Sequence, residues 1–396
     1  ERQISTTMAF VRLLTIITKD KEIGKLIVPI IPDEARTFGI DPLFRQIGIY
    51  SHSGQLYDPV DSKQFLFYKE SKDGQILEEG ISEAGAMSSF IASGMSYSTH
   101  SVATIPFYIF YSMFGFQRIW DFIWAACDMR VRGFLIGGTA GRTTLNGEGL
   151  QHQDGHSLLA ASVTPNIKAY DLAYSYEIAV IIHRGLVEMY QENRDLIYYI
   201  TLENENYQHP KMPKGIANDI INGMYKISSS ESPLVRLLGS GPLLRETIEA
   251  AKLLKTDWNI NPEVWCVTSF SELRKNAEDI ERWNIINEKN QAKKSQIEKC
   301  FSKNIVPTVA VSDYVKLVAE QIAKFVPGNY YALGTDGFGR SDTRQQLRSF
   351  FEVDRYYIVL TAIKALEIEK KVDIGLTKKV IKKYNLDSNK KNPASL

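Results

Sequence analysis

A chain of 396 residues carrying a formal net charge of +1, with 44% hydrophobic and 23% charged residues, has the composition of a globular protein with room for two or three domains. That balance gives no global argument for binding to nucleic acid or to an anionic membrane, and neither is expected as a partner; no apolar run is long enough to span a bilayer. Three widely spaced cysteines, Cys127, Cys266 and Cys300, form neither a disulfide framework nor a zinc pattern, so reduced thiols and a cytoplasmic setting are expected.

The chain opens on Glu1 rather than Met and runs almost at once into amphipathic sequence, so a fragment of a longer polypeptide is expected. Thr6 to Leu14 has helical spacing. Leu26 to Ile31 is a continuous apolar run and reads as a buried parallel strand. Asp33 and Glu34 follow at its carboxyl end, where ligands of open α/β sheets lie; simple solvation of a strand end accounts for them equally well. Residues 41–68 are irregular. Gln75 to Leu77 is a short strand leading into Glu79-Gly-Ile-Ser-Glu-Ala-Gly-Ala86. That stretch predicts a tight turn and then a helix of very small residues, with Glu83 at its start. Small residues permit close approach of a backbone or a flat ligand at some cost in helix propensity. A first-turn Glu also suits the helix dipole without any further role.

Ile105 to Tyr111 predicts a strand, Phe116 to Val131 a helix, and Gly133 to Ile136 a strand. The segment GGTAGRTTLNGEGLQHQDGH, residues 137–156, holds six glycines and two histidines with little apolar content. It predicts a loop at a strand's carboxyl end, and its His, Glu and Arg together point to a site. His152 and His156 alone do not make a metal site. Asp171 is expected to cap a helix reaching about Tyr190, and Leu196 to Ile200 to close the sheet. A linker is expected over 206–232. A second α/β pattern follows: strands at Leu234 to Leu238, Val264 to Val267 and Ile305 to Val311, and a helix from Pro242. Asp313 is expected to open a helix over Tyr314 to Val326. Gly334 to Ser341 is either an anion cradle or a plain strand-to-helix turn, and a helix follows from Thr343 to Phe351. The Lys-rich tail lacks interleaved aromatics and reads as a solvated helix face.

The words PIIPDEARTFGIDPLFRQIGIYS, GQILEEGISEAGA, IPFYIFYSMFGFQR, GGTAGRTTLNGEGLQHQDGH and LGTDGFGRSDTRQQLRSFFEVD resemble the homodimeric bacterial pyruvate dehydrogenases over nearly the whole chain. The resemblance implies a thiamine-diphosphate-dependent decarboxylase component that passes an acetyl group to a lipoyl group. It implies an α/β fold of two consecutive three-layer domains with mostly parallel sheets: a transketolase-like pyrimidine-binding domain over 1–205, a linker over 206–232, and a transketolase-type C-terminal domain over 233–396. The family's Gly-Asp-Gly motif for magnesium and the diphosphate does not occur here. The ligands of both are therefore expected in a preceding domain, and no metal ligand is expected in this chain.

Carried over residue by residue, the resemblance makes Glu83 the carboxyl that hydrogen-bonds the cofactor's aminopyrimidine and promotes its imino tautomer, a task that implies burial and a raised pKa. Phe114 matches the aromatic stacked on that ring, and Ile81 a further cofactor contact. Tyr111, His152 and Glu34 match residues at the reacting centre, with His152 suited to the pyruvate carboxylate or to a proton relay. Asp33, Glu148 and His156 are expected around the substrate or behind those side chains; Asp61 and Arg118 are weaker carry-overs. Expected partners are a second copy of the chain, the dihydrolipoyl acetyltransferase core with its lipoyl domain, and pyruvate. The alternatives are a relative acting on another 2-oxo acid, and an isolated piece serving only dimerisation and docking.

Overall fold

β-Branched and aromatic runs form the strands of this chain, and amphipathic or small-residue stretches form the helices between them. The computed structural model describes residues 3–32, 35–58, 60, 68–287 and 291–396. The strands, in chain order, are β1 (Ile27–Ile31), β2 (Ile49–Tyr50), β3 (Glu70–Ser71), β4 (Leu77–Glu78), β5 (Ile105–Tyr111), β6 (Gly133–Gly138), β7 (Ile167–Asp171), β8 (Ile197–Thr201), β9 (Met224–Ser228), β10 (Val235–Gly239), β11 (Pro262–Val267), β12 (Thr308–Val311) and β13 (Tyr330–Leu333). Among the described residues, β4-β1-β5-β6-β8-β7 make one sheet and β13-β12-β10-β11-β9 a second, with β2 and β3 paired separately.

The chain divides into two units. The first comprises Glu1–Ala140, Ala160–Lys168 and Tyr174–Lys211; the second comprises Gly141–Leu159, Ala169–Ala173 and Met212–Leu396. In the first unit β1 pairs in parallel with β4 and β5, and β6 in parallel with β5 and β8. Ile105 to Phe110 are all buried, as a central parallel strand covered on both faces requires. Phe107 stacks on Phe134 of the neighbouring strand, with ring centroids 4.5 Å apart. In the second unit β10, β11, β12 and β13 are parallel and β9 joins antiparallel to β11. Two α/β units with mostly parallel sheets are the expected fold class.

Three expectations change. The stretch read as a linker contains a short helix, Ala217–Ile221, and the edge strand β9. Its few apolar residues alternate too briefly to signal a strand. Asp171 does not cap a helix: it ends β7, and its carboxylate accepts from Ser240 Oγ at 2.6 Å. The helix begins at Ser175, preceded by Tyr174, and Glu177 Oε2 accepts from the Tyr174 backbone N–H at 3.0 Å. Asp313 likewise opens no long helix. Only Leu317–Glu320 and the 3-10 turn Ala323–Phe325 are helical there, because the Asp313 carboxylate is engaged by another loop.

Candidate active site

In the first unit, β4 ends at Glu78 and the chain turns through Gly80, whose φ of 71° only glycine adopts without strain. Ser82 then caps the helix Glu83–Gly94, its hydroxyl accepting from the Gly85 N–H at 3.1 Å. Such a cap stabilises by about 1 kcal/mol. Glu83 is the first helical residue, as the sequence predicts. The small residues serve close packing at the far end of the helix, where a Cβ on Gly94 would lie 2.6 Å from the Arg132 carbonyl oxygen. Ala84 and Ser88 leave the outer face low and exposed.

Tyr111 is the last residue of β5, and its ring meets Phe38 at 5.1 Å and the edge of Phe114 at 5.7 Å. Arg118 joins the two elements. Its Nη1 donates to Glu83 Oε1 at 2.7 Å, and its guanidinium carbon lies 4.0 Å from the centre of the Phe114 ring. The Glu83 side chain is 20% exposed and that of Arg118 50%. Tyr108 donates to the Glu83 carbonyl at 3.4 Å, and burial pushes its phenol well up, with Glu83 and Glu79 adding to the effect. Ile81 is exposed on the turn. Asp33, Glu34 and Asp61 lie outside the described residues.

Glu148, His152 and His156 belong to the second unit, on the segment Gly141–Leu159. His152 Nδ1 stands 3.7 Å from Glu148 Oε2; Glu148 is in the exposed stretch 146–151, and His152 follows it, partly buried. His156 sits lower. Its N–H and that of Ser157 both donate to Asp154 Oδ1 at 2.9 Å, so Asp154 shapes the way out of the loop. The loop rests on a group of residues that the sequence did not mark as functional. Asp313, at the carboxyl end of β12, accepts from the Arg142 N–H at 3.0 Å and from the Thr143 N–H at 3.1 Å. The buried Arg142 guanidinium donates through Nη1 to the carbonyls of Thr335 and Gly337. The Gly334 to Ser341 turn thus presents carbonyl oxygens to a cation, the opposite of an anion cradle. Burial raises the Asp313 carboxyl to about 7, against the pull of Thr143 and Arg348, and lowers the Arg142 guanidinium. The signal that could have found Asp313 is the one that marked Asp33 and Glu34: an acid just past an apolar parallel strand.

Residues 1–210 match the family model described as the pyruvate dehydrogenase E1 component middle domain. The chain belongs to that family. Residues 223–354 match the family model described as the transketolase-like TK C-terminal domain. The chain is 57% identical to the pyruvate dehydrogenase E1 component of Pseudomonas aeruginosa over 99% of its length and 45% of the relative's. Identity to the component of the same name is 55% in Cupriavidus necator, over 100% of this chain and 45% of the relative, and 51% in Escherichia coli, over 99% and 44%. The chain thus spans less than half the length of these curated relatives. The transketolase of Leishmania mexicana has the same fold, with a TM-score of 0.70 at 16% identity over 93% of this chain and 46% of that one. A structure described as a split gene transketolase, inactive beta4 tetramer, gives 0.61 at 16% identity, over 92% of this chain and 99% of that one. Among the described residues, no group of three or more His, Cys, Asp or Glu side chains could hold a metal ion, and no helix is long and apolar enough to cross a membrane.

Proposed function

We propose that this chain carries the pyrimidine-binding and C-terminal parts of an acetyl-transferring pyruvate dehydrogenase. The whole enzyme binds thiamine diphosphate, decarboxylates pyruvate, and delivers the acetyl group to a lipoyl group of a dihydrolipoyl acetyltransferase core; these 396 residues by themselves are expected to bind the cofactor weakly and to be inactive. The observation that carries the reading is the shared engagement of Arg118. One planar cation is hydrogen-bonded to Glu83 and stacked on Phe114 at once, so this carboxylate and this ring face are spaced to hold a flat, nitrogen-bearing ring. With its carboxyl protonated, Glu83 would donate to a ring nitrogen of an aminopyrimidine lying on Phe114.

When bound, the cofactor supplies a nucleophilic carbon and an electron sink for the decarboxylation. The chain's own residues then bind and move protons. Glu83 hydrogen-bonds a ring nitrogen and shares a proton with it. Phe114 fixes the ring plane, and Ile81 adds apolar contact beside it. Tyr111 lines the reacting centre, and the family resemblance alone assigns Asp33 and Glu34, which lie outside the described residues, to the same role. His152 meets the substrate carboxylate or relays a proton, Glu148, with Oε2 3.7 Å from His152 Nδ1, orients the loop, and His156 supports the loop from behind.

The reading includes a division at 1–205, 206–232 and 233–396. It further includes magnesium and diphosphate ligands in another domain, a homodimer, and a bacterial cytoplasmic location. The test is turnover by the intact protein with thiamine diphosphate and magnesium, comparing pyruvate with 2-oxobutyrate and 2-oxoglutarate. Preference for pyruvate, lost in Glu83→Gln, is expected. Preference for another 2-oxo acid, or full activity in Glu83→Gln, would overturn the assignment.

A further inference from the structure

The loop that carries His152 is long, glycine-rich and exposed at its apex, yet both of its ends are pinned. At the entry, Asp313 Oδ2 accepts from the N–H groups of Arg142 and Thr143, and Oδ1 also accepts from Thr143 at 3.1 Å. Gly141, with φ at 79°, brings the backbone so close that a Cβ there would collide with Asp313 Oδ2. The Arg142 side chain reaches on to the carbonyls of Thr335 and Gly337. Arg344 Nε donates to the Thr144 carbonyl at 2.6 Å. At the exit, Gln153 Oε1, on the residue next to His152, accepts from the Arg340 N–H at 2.6 Å, and the Gly155 carbonyl accepts from the Val315 N–H at 2.8 Å. Asp313, Arg142, Thr143 and Gln153 are all buried.

We propose that Asp313 and Arg142 are positioning residues for the substrate side of the site, acting through the loop on His152 and Glu148. The inference rests on the reading of His152 as the group that meets the 2-oxo acid carboxylate. Its physical basis is entropic. A flexible loop of this length has many conformations, and a histidine near its exit has a defined position only if the ends are fixed. Hydrogen bonds from two consecutive backbone N–H groups to one buried carboxylate, with a guanidinium locked onto two carbonyls, fix the entry, and Gln153 fixes the exit. Removing the Asp313 carboxylate leaves two buried N–H groups without their acceptor, whereas Asn at that position keeps an acceptor oxygen. Glu83, Phe114 and Arg118 are not among the groups that the latch holds, so cofactor affinity is not what it sets.

The experiment compares Asp313→Ala, Asp313→Asn and Arg142→Met in the intact protein by three readouts. Amide hydrogen exchange over residues 141–156 is expected to speed up at least tenfold in Asp313→Ala and Arg142→Met and to be largely restored in Asp313→Asn, while β5 stays protected. KM for pyruvate is expected to rise at least tenfold in the two breaking variants, with thiamine diphosphate affinity, titrated by tryptophan fluorescence, within twofold of the parent. Unchanged exchange in the loop overturns the latch. Faster exchange with an unchanged KM overturns its role in positioning substrate, and so does a loss of cofactor affinity equal to the rise in KM. If Asp313→Ala does not fold, Arg142→Met breaks the same latch from the loop side, and its exchange and KM decide the outcome. If the parent protein itself fails to turn over pyruvate, the proposed function falls, and the exchange readout still decides whether the latch exists.

Discussion

Glu83 Oε1 accepts a 2.7 Å hydrogen bond from Arg118 Nη1, and the same guanidinium lies over the face of Phe114. The two groups proposed to hold an aminopyrimidine are thus both engaged by one half-exposed side chain. On that proposal, a cofactor ring arriving at Glu83 and Phe114 has to displace it.

Removing that competitor has a bounded effect. Ion pairs at exposed positions are worth about 0.2–1 kcal/mol, and a cation–π contact at an exposed site about 0.5–1 kcal/mol. Arg118→Met in the intact protein is therefore expected to tighten thiamine diphosphate binding by roughly three- to thirtyfold. Fluorescence titration checks this; weaker binding would show instead that Arg118 holds the bound cofactor.

Glu83→Gln keeps the side chain's size and removes its capacity to share a proton. Turnover is expected to fall by roughly 100- to 10,000-fold, the usual range for a lost acid–base group. Stability should move by less than about 1 kcal/mol, since the loss is confined to a helix-dipole contact and a partly exposed ion pair. Steady-state rates and thermal melting, run on the same preparation, separate the two effects.

In the second unit, Arg236 is buried, donates to Glu263 Oε1 at 2.6 Å, and packs 3.8 Å from the centre of the Phe301 ring. Glu263→Ala leaves that guanidinium without its carboxylate and should cost about 3–5 kcal/mol. Replacing both residues by Met should recover most of the loss. Urea unfolding of the three variants tests this, and a double variant as unstable as the single one would contradict it.

Asp313 gives a pH dependence with a definite sign. Its folded-state pKa of about 7 lies above the ordinary carboxyl value, so between about pH 4 and pH 7 the folded protein keeps a proton that the unfolded chain has released. Stability from this group is full below about pH 4, falls as pH rises through 7, and levels off above it. The urea midpoint of the parent should therefore drop more between pH 5.5 and pH 8.5 than that of Asp313→Asn. Equal drops would remove Asp313 as the source.

The central strands were legible in the sequence because each is a short, nearly continuous apolar run, as a strand buried on both faces must be, whereas Ile167–Asp171 and Tyr330–Leu333 were not read as strands. Ile27–Ile31, Ile105–Tyr111, Gly133–Gly138 and Ile197–Thr201 all lie within a few residues of their expected places. Glu83 was legible at the start of its helix because the turn and cap residues precede it locally. Asp171, Asp313 and the strand Met224–Ser228 were misread for one reason. An isolated Asp before an amphipathic stretch looks like a helix cap, and a five-residue edge strand in polar sequence looks like a linker, unless the distant partner is known.

The sequence by itself determined the α/β class, the two sheets, the glycine-rich loop and the carboxyl at the helix start, because periodicity, turn chemistry and capping act over a few residues. Only the tertiary structure decided that Arg118 lies on Phe114 while holding Glu83, that Asp313 takes the N–H groups of a loop 170 residues earlier, and that residues 335–337 offer carbonyls to Arg142. Those pairings satisfy buried or half-buried polar groups across long sequence separations. Such satisfaction is a property of the packed chain, since no local pattern encodes which distant donor an acceptor will meet.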